Sequence, residues 1–131
     1  MINFHLILKK FGLDDSIFFI NNYDNYYAIL SKAKILFIME NHEETPSYVL
    51  EAISLGVPVL SIFSNGLKNI IQNEFNGFLA NNEFDIANFA ARMLNDRHFW
   101  LLLSTNSLTN SDEQNNLEVY INQLKNLYHI N

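Results

Sequence analysis

The chain has no cysteine among its 131 residues, which excludes disulfide staples and thiolate metal sites. Basic residues are also scarce, eight Lys and Arg against fourteen Asp and Glu, for a net charge of −6. They form no cluster, so the electrostatic footprint of nucleic-acid or anionic-membrane binding is missing, and nucleic acid is not an expected partner. No apolar run approaches the roughly 20 residues of a membrane-spanning helix. No basic n-region followed by an apolar h-region stands at the N-terminus, which predicts a cytoplasmic location. Four glycines and two prolines are too few for a Gly-rich phosphate loop. The histidines His5, His42, His98 and His129 are dispersed, and His42-Glu43 lacks the second His, four residues after the first, that a zinc helix requires. No metal site is expected.

What is present is a core. Apolar residues make up 49% of the chain, with eleven Phe and six Tyr, a composition that excludes disorder and suits one ordinary domain spanning residues 1–131. In the first ten residues, Ile2, Phe4, Leu6 and Leu8 alternate like a strand, while Ile7 and the two lysines suit a helix ending at Gly12; the helix is the expectation. Residues 16–20 then read as a compact strand, 23–32 as a helix and 34–39 as a second strand.

The central stretch, His42 to Leu60, reads as a loop, a helix and a strand. Thr45 suits an N-cap, Pro46 the first helical position, where a missing N–H costs nothing, and Gly56 the left-handed residue past the end. The apolar runs on either side, 34–39 and 58–63, are of the kind buried on both faces of a parallel sheet, so the unit is βαβ. In open sheets of this kind ligands sit outside the carboxyl ends of the strands, where the loop from Glu40 to Thr45 emerges.

Further on, 64–66 is a loop, 67–73 a helix and 77–80 a fourth strand. Phe84, Ala87, Phe89, Ala90, Met93 and Leu94 mark one helix, and residues 99–103 a second. Residues 104–116, with Leu108 as their one apolar side chain, read as a flexible linker. Leu117, Tyr120, Ile121, Leu124, Leu127 and Tyr128 follow at helical spacing. The whole predicts a doubly wound α/β domain with about four parallel strands and extra C-terminal helices.

The run Glu43, seven residues, Glu51, followed by Ala52, Gly56, Pro58-Val59, Asn65-Gly66 and Gly77, resembles the signature of the group 1 glycosyltransferases, retaining enzymes of the GT-B fold. The resemblance spans about residues 15–96. It implies the Rossmann-like C-terminal domain that binds a UDP- or GDP-sugar, whose sugar passes to a glycan, lipid or other acceptor. It places Glu43, the candidate catalytic residue, at the donor sugar and Glu51 at the ribose. Thr45, Pro46 and Ser47 match the turn whose backbone amides face the donor. The nucleotide sugar is then a substrate, and no cofactor is implied. A lipid acceptor would put the protein at the inner face of the membrane.

The chemistry asks for such groups. A departing diphosphate needs donors and counter-charge, and a carboxylate accepts two hydrogen bonds from a vicinal diol. Without the flanking register, Glu43 and Glu44 read as solvated loop acids, and Glu51, Ser47 and Ser54 as a polar stripe facing water. The departures at Pro46, which removes a backbone donor, and at Asn65 and Asn69 open a second reading, a non-catalytic accessory module derived from a glycosyltransferase. The resemblance also implies a missing N-terminal half that binds the acceptor. On that reading the chain alone is inactive, and it self-associates or pairs with a partner chain that supplies this half.

Overall fold

The computed structural model describes residues 6, 9–20, 25–113 and 125. In chain order the elements are helix α1 (Tyr26–Lys32), strand β1 (Leu36–Ile38), helix α2 (Ser47–Ser54), strands β2 (Val59–Ile62) and β3 (Gly77–Ala80), and helices α3 (Glu83–Asn95) and α4 (Arg97–Glu113). The strands form one parallel sheet in the order β1-β2-β3, with Leu36 opposite Val59 and Val59 opposite Gly77. A parallel ladder forces each connection to cross the sheet, and the side chains alternate between its two faces.

On one face Ile38, Val59 and Leu79 pack with Leu30 of α1 and with Val49, Ala52 and Ile53 of α2. Leu67 and Ile71, from the β2–β3 connection, complete that layer. On the other face Leu60, Phe78 and Ala80 meet Ile86 and Met93 of α3 and Phe99 and Leu103 of α4. The domain is therefore doubly wound, as expected.

Helix α2 ends as the sequence indicates. Gly56 has φ +75°, its N–H donates to Ile53 O at 3.0 Å, and Val57 N–H reaches back to Ala52 O at 2.8 Å. This is the paired bonding of a Schellman motif, which needs a residue at positive φ.

Four expectations are corrected. The sheet has three strands among the described residues, since residues 16–20 lie outside it and leave Phe18 83% exposed. An apolar run becomes a strand only where a ladder neighbour accepts its backbone, and apolarity does not supply one. Residues 67–70 form hydrogen-bonded turns rather than a helix, with Leu67 N–H and Lys68 N–H both donating to Ser64 O. The chain is drawn instead into the Asn73 bridge to Gly77 and the Asn76 contacts to Gln72 and Ile70.

Thr45 does not cap α2. Pro46 holds the N-cap position without a side-chain bond, and the Thr45 hydroxyl is committed elsewhere. Residues 104–113, from the linker expected at 104–116, belong to α4, where Ser104, Asn106 and Ser107 find backbone acceptors. Ser104 Oγ donates to Gly56 O at 2.6 Å, Asn106 Nδ2 to Phe75 O at 3.0 Å, and buried Ser107 to Leu103 O at 2.8 Å. Polarity here is hydrogen bonding, not disorder. Residues 114–116 and the expected helix of 117–128, apart from helical Lys125, lie outside the described residues, as does most of the expected first helix; Leu6, Lys9 and Lys10 are helical.

Candidate functional site

Two loops leave the carboxyl ends of neighbouring strands, residues 40–46 after β1 and 63–66 after β2. Their junction is built on Gly66. Its N–H donates to His42 O at 2.7 Å, and its carbonyl accepts the Thr45 hydroxyl at 2.6 Å. A Cβ at Gly66 would collide with Glu44 O and stand 2.5 Å from Glu44 C, so only glycine lets the second loop lie flat against the first. The Glu43 loop is thus held from outside its own sequence.

Glu43 and Glu44 are exposed at this junction, as is Ser47 in the first turn of α2. The N-terminal end of α2 presents the N–H groups of Ser47 and Tyr48, whereas Pro46 has none to offer. Glu51 is half-buried one turn beyond Ser47, on the same side of the helix by its spacing. The expected site residues therefore fall on one loop and one helix face at the carboxyl edge of the sheet.

Two tyrosines add what sequence reasoning missed. The Tyr26 hydroxyl of α1 is buried near Glu51: burial first, and then the nearby Glu51 carboxylate, push its pKa up to about 12. Tyr48 Oη stands 3.0 Å from His42 Nε2, and Glu40 Oε2 is 3.8 Å from the same nitrogen. Burial first and the charge of Glu40 second raise the Tyr48 pKa, so its hydroxyl is protonated at neutral pH. Neither pairing has a local signal, since both join residues on different elements or across a loop. Among the described residues no group of three or more His, Asp or Glu could hold a metal ion, and no helix is long and apolar enough to cross a membrane.

The Tyr26 environment carries an alkaline prediction. A pKa raised in the folded chain above its ordinary value near 10 leaves its contribution to stability complete below that pH, and the contribution fades as pH rises through about 12. Absorbance at 295 nm should show a late phenol titration near pH 12 in folded protein, and Tyr26→Phe should remove that phase. A titration curve unchanged by the substitution would assign the phase elsewhere.

Comparison with known proteins decides the family. The model of the family described as "Glycosyl transferases group 1" matches residues 3–97. This chain belongs to the group 1 glycosyl transferases. N-acetyl-alpha-D-glucosaminyl L-malate synthase of Bacillus anthracis is similar at 22% identity over 125 residues, covering 94% of this chain and 33% of that protein. The solved structure of sucrose-phosphate synthase from Thermosynechococcus elongatus superposes with a TM-score of 0.76 at 22% identity, over 96% of this chain and 33% of that one. At that identity the superposition shows the fold, a GT-B glycosyltransferase domain. The group 1 chain described here spans about a third of the length of either relative.

Proposed function

We propose that this group 1 chain binds the donor, a UDP- or GDP-sugar, for transfer of the sugar to a glycan, lipid or other acceptor hydroxyl. The observation that carries the reading is the joined pair of loops at the carboxyl edge of the sheet, which presents Glu43 beside the start of α2 with Glu51 one turn along it. Glu51 accepts the ribose hydroxyls, and Tyr26 holds its carboxylate in place. Glu43 takes hydroxyls of the donor sugar near the anomeric carbon, where the bond to the diphosphate oxygen breaks and the bond to the acceptor oxygen forms. The N–H groups of Ser47 and Tyr48 face the diphosphate, favoured by the positive end of α2. Thr45 and Pro46 shape the turn between them. The nucleotide sugar is substrate, and the reading needs no resident cofactor.

Titration of the labelled protein with UDP, GDP and their sugars tests this. Amide shifts should cluster from Glu43 to Glu51, and Glu51→Ala should weaken binding by about 1–3 kcal/mol, the range for a hydrogen bond to a charged group, with little change in melting temperature. Absence of shifts with every UDP and GDP species would overturn the donor reading. Equal affinity of the variant, or its failure to fold, would remove the ribose role of Glu51.

A further inference from the structure

We propose that His42 and Tyr48 form a bracket that positions Glu43, resting on the reading of this site as a donor site. His42 precedes Glu43 in the loop after β1, and Tyr48 is the second residue of α2. The Tyr48 hydroxyl and His42 Nε2, 3.0 Å apart, tie the loop to the helix, with the rings edge to face at 6.2 Å. The carbonyl of the same His42 accepts the Gly66 N–H at 2.7 Å, which ties it to the loop after β2. His42 is thereby held at both its ring and its backbone, one residue from the exposed carboxylate of Glu43.

The arrangement has a reason in the local chemistry. Pro46 leaves the turn before α2 one N–H short, so the loop cannot be fastened to the helix start through that amide. A side-chain bond from Tyr48 fastens it instead. Glu40, mostly exposed, stands 3.8 Å from the same Nε2. The bond survives a change of tautomer, because a phenol hydroxyl donates to an unprotonated Nε2 and accepts from a protonated one. His42 and Tyr48 are positioning residues: they touch Glu43 through the backbone, not the donor through their rings.

The test uses the whole chain with His42→Ala, His42→Gln and Tyr48→Phe, the last removing one oxygen and little else. Without ligand, exchange of the Gly66 amide hydrogen should quicken about three- to tenfold in His42→Ala and Tyr48→Phe, the span of one net hydrogen bond. It should stay near wild type in His42→Gln, whose amide reaches the same position as Nε2. With UDP as probe, affinity should fall about three- to tenfold in the first two variants and recover in His42→Gln, and the His42→Ala/Tyr48→Phe double variant should lose no more than either single one. A merely structural pair would quicken Gly66 exchange and leave UDP affinity at the wild-type value, and that outcome would overturn the positioning of Glu43. Unchanged Gly66 exchange, or additive losses, would overturn the bracket. Wild-type protein that binds neither UDP nor GDP would overturn the donor reading and leave the exchange result to decide the bracket.

Discussion

Gly66→Ala is expected to separate the two loops and weaken nucleotide binding while costing about 1–3 kcal/mol of stability, the range for forcing extra volume into a packed site. The new methyl would meet the backbone of Glu44, which cannot turn aside as a side chain can. The loop must move, and with it the Gly66 bonds to His42 O and Thr45 Oγ1. A displacement of this kind is carried directly to Glu43, so UDP affinity should fall by about tenfold or more. Asn65→Ala, at the exposed neighbouring position, is the control and should bind as wild type. Thermal melts with parallel UDP titrations decide it: Gly66→Ala protein with full affinity would show that the junction does not set the site.

Phe78→Ala is expected to cost about 3–5 kcal/mol, a large part of what holds a domain of this size together. Phe78 is 1% exposed, stacks on Phe89 at 4.0 Å and meets Phe99 at 5.9 Å. Arg92 covers that group, its guanidinium 3.8 Å from the Phe99 ring centre and 2.7 Å from Glu74 Oε1. Removing the ring leaves a cavity between β3 and α3 that rigid neighbours on both sides cannot close. Because Phe78 faces away from α2, the fraction that remains folded should bind UDP with unchanged affinity. Urea denaturation gives the stability loss, and a loss below about 1 kcal/mol would contradict the packing described for this face.

The two variants divide the molecule along the line where sequence reading succeeded and failed. The βαβ unit was legible because its signals are local. Apolar runs of strand length flank a helix whose end is marked by local bonds, from Gly56 N–H to Ile53 O and from Val57 N–H to Ala52 O. Glu43 and Glu51 could be placed for the same reason, one on a loop after a strand and one on the helix that follows. The linker reading of residues 104–113 failed because Ser104 and Asn106 bond to Gly56 and Phe75, far away in the chain. The strand expected at residues 16–20 failed in the opposite direction, since they have strand composition and lie outside the sheet.

By itself the sequence determined the central βαβ unit, the C-terminal end of α2 and the residues that stand at the carboxyl edge of the sheet. All of these follow from residue type and spacing over a few positions, the range over which backbone hydrogen bonds and side-chain periodicity act. Only the tertiary structure decided how those residues are held. It moved the Thr45 hydroxyl from capping its helix to a carbonyl 21 residues away, set Tyr26 against Glu51, joined His42 to Tyr48, and made Gly66 indispensable by laying it on Glu44. A hydroxyl or an imidazole bonds whichever partner the fold brings within about 3 Å, and that proximity is a property of the packed chain, not of its neighbours in sequence.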